Sequence, residues 1–304
     1  MNTPKTAFIA IVGKANVGKS SILNRLLGSK IAIVSDKPQT TRTRIMGVLT
    51  TDDNVQLVFT DTPGYHRPHN KLGEKMVRAV SDSISGVDAC LLVVEAGEKH
   101  LNAAEEALLQ KIKQAHIPTL LAINKIDMLK NKEDLMAQIA SISAEYDFES
   151  VIPVSAADGN GMDILLDELK KQAFESEHFF PDDTLTDQPE RVLAAEMIRE
   201  KILRLLSKEI PHGTAVSIEK MRARDDSNIV DVEAVIYCER ESHKGIIIGK
   251  GGAMLKTIGS KARVDIEEML GCRANLQLWV KVKKDWRDSD FLLKNFGYNP
   301  KDTV

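Results

Sequence analysis

The sequence predicts an α/β chain: a mostly parallel, doubly wound sheet with helices on both faces, followed by a smaller α+β domain. Three observations predict it. Up to about residue 175, short runs rich in Val, Ile and Leu alternate with longer helical stretches. An acidic, proline-containing, aperiodic stretch then interrupts the pattern. After it the order becomes helix, two strands, glycine-rich turn, helix, strand.

In the first half, Ala7–Val12, Val55–Thr60, Asp88–Val94, Pro118–Ile123 and Ser150–Val154 read as strands. Their apolar runs are largely continuous, as strands covered on both faces require. Lys19–Leu27, Gly73–Ser83, Leu101–Ala115, Glu133–Tyr146 and Asp163–Gln172 carry helical periodicity. A sheet of this kind binds ligands at the carboxyl ends of its strands. The expected organisation is a first domain over residues 1–175, a linker over 176–190 and a second domain over 191–304. There, Glu190–Ser207 is amphipathic, with Val192, Ile198, Ile202, Leu205 and Leu206 on its apolar side. Strands Thr214–Arg222 and Ile229–Cys238 flank the turn Asp225-Asp226-Ser227-Asn228. A glycine turn at 249–252, a helix to about Leu270 and a strand over Ala274–Val282 follow. With a short helix before the glycines, the order is α-β-β-α-α-β.

At 304 residues the chain has room for two domains. No apolar run approaches the roughly 20 residues that cross a bilayer. The start, Met1 to Thr6, has no signal-peptide pattern, so a cytoplasmic location is expected. Cys90, Cys238 and Cys272 lie far apart and read as small apolar residues, not as a disulfide framework. The formal net charge of −3 argues against indiscriminate nucleic-acid binding by the whole molecule, but leaves room for a local basic face.

Gly13-Lys14-Ala15-Asn16-Val17-Gly18-Lys19-Ser20 is a P-loop between a strand and a helix. Its glycines let backbone N–H groups close around phosphates, and the helix dipole adds to the attraction. Lys19 is expected on the β- and γ-phosphates, Ser20 on magnesium, with Ser21 beside them. Asp61-Thr62-Pro63-Gly64 ends a buried strand, which suits a water-mediated hold on magnesium by Asp61 and a γ-phosphate contact from the Gly64 N–H. Asn124-Lys125-Ile126-Asp127 ends another strand. The Asp127 carboxylate can accept two hydrogen bonds from guanine that adenine does not offer, which selects GTP over ATP. Ser155 and Ala156 complete a base pocket. In Gln39-Thr40-Thr41-Arg42, one threonine, Thr41 by preference, should reach magnesium in the triphosphate state, making the stretch a switch. Tyr65 stands where many small GTPases have the water-orienting glutamine, so the chain either positions water by other means or hydrolyses slowly, and a slow intrinsic rate is expected; His66 and His69 read as solvated switch residues.

Gly249-Lys250-Gly251-Gly252 is a GXXG loop between an apolar segment and a helix, the arrangement that lets KH domains approach about four nucleotides of RNA backbone. From Arg240 to Arg287 there are eleven basic and five acidic residues, a surplus of six. Lys244, Gly249, Lys250, Gly251, Gly252 and Lys256 are the expected RNA contacts.

Taken together, the chain resembles the Era family of bacterial ribosome-assembly GTPases over nearly its whole length. The most specific parts are Pro38–Arg42, His243–Gly252 and Trp279–Arg287. The resemblance implies a Ras-like GTPase domain, a type II KH domain, and binding near the 3′ end of small-subunit ribosomal RNA during 30S maturation. It also implies GTP/GDP and Mg2+ as ligands and peripheral membrane association; a monomer is expected. Asn16 holds a P-loop position that helps coordinate potassium in potassium-activated relatives, so K+ is a further expected cofactor. The P-loop departs from the family in two places, with Lys14-Ala15 for the usual Arg-Pro and Ser21 for Thr. Neither replaces a phosphate-contacting residue. A competing reading, to which Tyr65 lends weight, is an RNA chaperone that holds GTP only as a structural ligand. A GTPase acting on membranes is a third, without an amphipathic basic helix or lipidation motif to support it.

Overall fold

A computed structural model describes residues 3–65, 68, 70–98 and 100–298, and the chain divides into two units. The first comprises Met1–Val34, Thr41–Pro68 and Met76–Asp187; the second comprises Ser35–Thr40, His69–Lys75 and Gln188–Val304.

The first unit's sheet is built from β1 (Lys5–Val12), β2 (Ile45–Thr50), β3 (Val55–Asp61), β4 (Ala89–Glu95), β5 (Thr119–Asn124), β6 (Ser150–Pro153) and β7 (Phe174–Glu175). Its order is β2-β3-β1-β4-β5-β6, with β2 antiparallel to β3 and the other neighbours in that order parallel. The helices are α1 (Lys19–Leu27), α2 (Lys71–Ile84, in this unit from Met76 on), α3 (Ala103–Ala115), α4 (Lys132–Ser143) and α5 (Met162–Lys170). Along β1, Ile9 and Ile11 join one core while Ala10 and Val12 join another. Both sheet faces are therefore covered, which is why the strands read as unbroken apolar runs. Each fully buried Ile or Leu here contributes about 1.5–3 kcal/mol, and this fixes the strand ends from which the site loops leave.

The stretch expected as a linker is tied down as far as Asp187. β7 pairs antiparallel with the start of β1, at Lys5 and Thr6, ahead of the point where β4 begins to pair at Ile9. The buried Gln56 side chain accepts from the N–H groups of Phe179 (2.9 Å) and Phe180 (3.0 Å) and donates to the Phe180 carbonyl (2.9 Å). Phe179 packs edge-on against Phe8, and the Val48 N–H donates to the Leu185 carbonyl at 2.9 Å. Beyond the two-residue β7 pairing, these anchors are individual hydrogen bonds and one ring contact, so they leave no periodic trace in the sequence.

The second unit contains α6 (Glu190–Leu205), β8 (Ala215–Ala223), β9 (Ile229–Cys238), α7 (Glu241–Ile248), α8 (Ala253–Leu270), β10 (Arg273–Val282) and α9 (Asp290–Asn295). The sheet order is β10-β9-β8, with β9 parallel to β10 and antiparallel to β8. The short helix expected before the glycines is α7. One expectation for α6 changes: Val192 is exposed, and the buried face runs through Leu193, Ala194, Met197, Ile198 and Ile202. At 100° per residue, Val192 sits about 120° away from Ile198. Helix α9 carries no strong sequence signal. It follows Trp286, whose indole N–H donates to the Gly213 carbonyl at 3.0 Å, and its end packs Phe296 against Trp286.

Candidate nucleotide site and nucleic-acid interface

The P-loop leaves the carboxyl end of β1 and runs into α1. Gly13 and Gly18 are required for different reasons than turn preference alone. A Cβ on Gly13 would meet the Val93 carbonyl oxygen at 2.3 Å, and one on Gly18 would meet Asn124 Nδ2 at 2.1 Å. Both also have positive φ (148° and 98°), as does Asn16 at 67°. Lys19 is buried and donates to the carbonyls of Gly13 (3.1 Å) and Lys14 (2.9 Å), so its ammonium group sits inside the loop. Lys14 forms an ion pair with Glu98 and lies 3.8 Å from Glu105, which ties the loop's first turn to the start of α3. Ala15 sits against Gly64, where an added Cβ would lie 2.5 Å from the Ala15 Cα. Ser21 stands one residue along α1.

The expected metal residues converge. Ser20 Oγ donates to Asp61 Oδ2 at 2.5 Å and lies 3.0 Å from Thr41 Oγ1. Asp61 is fully buried, and its Oδ1 has no hydrogen-bond partner among the described residues. A buried carboxylate oxygen with nothing to neutralise it is costly, and two hydroxyls beside it make an all-oxygen donor set of the kind hard divalent cations prefer. The residues therefore fit magnesium. Burial pushes the Asp61 carboxyl up to about 6, against the pull of Lys19 and Ser20. Burial likewise pushes Lys19 down to about 8, with Asp61 opposing. Each shift marks a charge held ready for a counter-charge that the protein alone supplies only in part. Of the two threonines, only Thr41 joins this cluster. Thr40 Oγ1 donates to the Lys37 carbonyl at 2.6 Å and lies 2.7 Å from Ser35 Oγ.

The base-side residues are equally connected. Asn124 is buried at the end of β5; its Nδ2 donates to the Val17 carbonyl (2.7 Å) and its Oδ1 accepts from the Ala156 N–H (3.1 Å). It braces the P-loop to the Ser155–Ala156 loop, a role the sequence does not reveal because its partners are backbone atoms 107 and 32 residues away. Asp127 Oδ1 accepts from Ser155 Oγ at 2.7 Å, which orients the carboxylate. Lys125 has φ 69° and pairs with Glu95 at 3.0 Å.

Beyond Asp61, Thr62 donates to the Ile11 carbonyl at 2.8 Å and Pro63 leads into Gly64. The Tyr65 N–H donates to Gly13 O at 3.2 Å, and Lys111 lies over the Tyr65 ring at 5.1 Å. Tyr65 is therefore held from both sides. His66 and His69 lie outside the described residues.

In the second unit, α7 stops at Ile248 and α8 starts at Ala253, with the GXXG loop between. Gly249, Gly251 and Gly252 have φ of 73°, 60° and 82°. The loop directs the positive end of α8 outward. A groove of about 360 Å³ adjoins it, lined by Gly252 of the loop, by Lys256 and Arg263 along α8 and by Leu276 and Leu278 from β10. Lys256 thus faces the groove, Lys250 is exposed at the tip, and Lys244 lies 3.9 Å from Glu241 on α7. Sequence reasoning missed the groove floor and Gly259. That glycine, within α8, lets Leu278 approach to 3.3 Å of where a Cβ would be; an isolated glycine inside a helical pattern was the available signal.

Comparison with known proteins agrees with both units. Residues 8–125 match the family described as 50S ribosome-binding GTPase, and residues 209–287 match the KH domain family. GTPase Era of Clostridioides difficile strain 630 is 51% identical over 98% of this chain and 99% of its own. GTPase Era of Caldicellulosiruptor saccharolyticus is 48% identical over 98% of this chain and 99% of its own. Two solved structures match at a TM-score of 0.93 each, covering 97% of this chain and 99% of theirs. One is a tyrosine-to-alanine variant of Aquifex aeolicus Era bound to GDP and aluminium fluoride, at 39% identity. The other is Era in complex with MgGDPNP and nucleotides 1506–1542 of 16S ribosomal RNA, at 38% identity. The chain belongs to the Era family of GTPases, and it is a GTP-hydrolysing enzyme with a C-terminal KH domain.

Proposed function

We propose that this chain is a magnesium-dependent GTP switch that binds the 3′ region of small-subunit ribosomal RNA and assists 30S maturation. The reading is carried by one pairing: a buried Ser20–Thr41–Asp61 cluster in one unit and an exposed GXXG groove in the other. A relative whose solved complex holds both MgGDPNP and 16S ribosomal RNA supports the same pairing. The relative solved with 16S ribosomal RNA favours the small subunit over the 50S subunit in the broader family's description.

In this reading Gly13–Ser20 cradle the phosphates, Lys19 neutralises charge on the β- and γ-phosphates, and Gly64 donates its N–H to the γ-phosphate. Ser20, Thr41 and Asp61 are the residues that would hold magnesium. Magnesium supplies positive charge to the transferred phosphoryl group. Asp127, steered by Ser155, reads the guanine edge. Water attacks the γ-phosphorus as the bond to the β-phosphate oxygen breaks, and catalysis consists of positioning and charge stabilisation. With Tyr65 in place of a glutamine, the extra charge is assigned to a potassium ion held by Asn16. Single-turnover hydrolysis in potassium and in sodium chloride at matched ionic strength tests this: faster turnover in potassium supports it, and equal rates refute it.

We read the protein as a cytoplasmic monomer, to be tested by fractionation and by its mass in solution; separately, no helix among the described residues is long and apolar enough to cross a membrane. Peripheral membrane association rests on the family likeness alone, and cell fractionation tests it.

A further inference from the structure

We propose that Trp279 is a stacking platform for single-stranded RNA that leaves the groove over the free edge of β10, so that the RNA footprint continues onto the opposite face of the sheet. The inference rests on the groove reading above and extends it. β10 is an edge strand. Leu276 and Leu278 turn toward α8 and line the groove. Alternation places Asn275, Gln277, Trp279 and Lys281 on the other face. One contact and the register agree with that assignment: Asn275 donates to Asp231 at 2.8 Å, and Trp279 is in register with Val235, which stands outside the core cluster of Val232, Ala234 and Ile236. A strand that passes over the edge from Leu278 meets Trp279 next.

The chain has two tryptophans, and they differ sharply. Trp286 is 0% exposed and its N–H is bonded, whereas Trp279 is 44% exposed. Among the described residues its indole N–H has no protein acceptor. Its surroundings suit a polyanion. Two carboxylates of that face are already engaged, Asp231 with Arg224 at 2.6 Å and Glu233 with Lys220 at 3.3 Å, and Glu219 lies toward Tyr237 on β9. Hydrogen bonds from Arg224 and Asn275 hold the Asp231 carboxyl far below the usual range, against the upward push of desolvation. Arg273 and Lys281, exposed on the same strand, have no carboxylate partner among the described residues. One aromatic ring among amides and cations is the composition that stacks bases. A protein-binding centre would instead cluster several apolar groups around the ring, and here Gln277 and Lys281 stand two residues to either side.

The test compares the wild type, Trp279→Leu, Trp279→Phe and the Lys250→Asp, Gly251→Asp double variant. Leucine keeps apolar cover over Val235, and phenylalanine also keeps an aromatic face. Each protein is titrated with RNAs of about four nucleotides, the length a GXXG groove holds, and of about twelve, tiled through nucleotides 1506–1542 of 16S ribosomal RNA. Trp279→Leu should weaken the longer RNA on the order of tenfold or more and leave the shorter unchanged, with Trp279→Phe restoring most of the affinity. In the wild type the longer RNA should quench tryptophan fluorescence, and the quench should vanish in both Trp279 variants because Trp286 is shielded. Unchanged affinity in Trp279→Leu, equal weakening at both lengths, or a quench that survives loss of Trp279 would overturn the proposal. If the double variant binds both RNAs like the wild type, the groove reading itself falls and this inference with it.

Discussion

The nucleotide site and the RNA loop both depend on glycine, yet they use it in opposite ways. At Gly13, Gly18 and Gly64 the space for a side chain is already occupied by protein, with contacts of 2.1–2.5 Å waiting for any Cβ. At Gly251 and Gly252 an added Cβ would meet nothing within 4 Å. The first set is packed into a preassembled pocket whose polar groups are buried and cross-bonded. The second set holds positive φ at an open tip, where the space is left for a ligand's backbone. A site of the first kind should discriminate steeply between ligands and fail sharply when one group is changed. A site of the second kind should bind through charge and close approach, and should fail with salt.

The largest expected effect tests the first half of that contrast. Asp127→Asn removes the acceptor that guanine requires, and a site built on paired polar groups rejects a mismatched ligand by about 10⁴-fold. GTP affinity should fall by roughly that factor while xanthosine triphosphate binds, as equilibrium titration with both nucleotides will show. Retained GTP affinity would break the base-pocket assignment. Next in size, Lys250→Asp with Gly251→Asp places two negative charges at an exposed tip. RNA binding should collapse while GTP binding and thermal unfolding stay as in the wild type. In the wild type, log affinity should fall with log salt at a slope of about −0.7 for each phosphate contacted.

A glycine pair sharpens the comparison further. Gly18→Ala forces a Cβ onto Asn124 at φ 98°, and should cost about 1–3 kcal/mol of stability together with most nucleotide affinity. Gly251→Asn, at φ 60° in open space, should change stability by under about 1 kcal/mol, since asparagine tolerates the left-handed region, while RNA binding weakens. Paired melting and binding curves for the two variants decide it. The smallest effect belongs to the sheet face. The folded Asp231 carboxyl is held below its unfolded value, first by the hydrogen bond to Arg224 and then by that to Asn275. Its contribution is therefore present above the unfolded value near 3.9 and is lost as pH falls below that. Asp231→Asn should melt slightly earlier than wild type at pH 7, and the gap should narrow steadily as pH falls below about 4.

Much of this was legible in the sequence, and what was not has physical causes. The continuous apolar runs located the strands because both sheet faces are covered, and the motifs at their ends located Lys19, Asp61 and Asp127. The choice of Thr41 over Thr40 was not legible, because it turns on which hydroxyl faces Ser20 and which is taken by Ser35 and Lys37. Neither was the brace made by Asn124, whose partners are carbonyl and amide groups that any residue carries. The segment after residue 175 read as a linker because Gln56 and Phe8 hold it at single points. Val192 was assigned to the core face on hydrophobicity alone, where the helical angle puts it outside. The groove beside the GXXG loop was half legible: the glycine loop and basic surplus stood out, but its floor of Leu276 and Leu278 looks like any strand interior.

The claim on which the account turns is that Ser20, Thr41 and Asp61 form one magnesium site that senses the third phosphate. Equilibrium binding of MgGDP and of a non-hydrolysable MgGTP analogue to Thr41→Val and Thr40→Val tests it most directly. The account predicts that Thr41→Val keeps GDP affinity but loses the triphosphate's magnesium-dependent advantage, while Thr40→Val behaves as the wild type. A loss confined to Thr40→Val, or no loss in either variant, would contradict it.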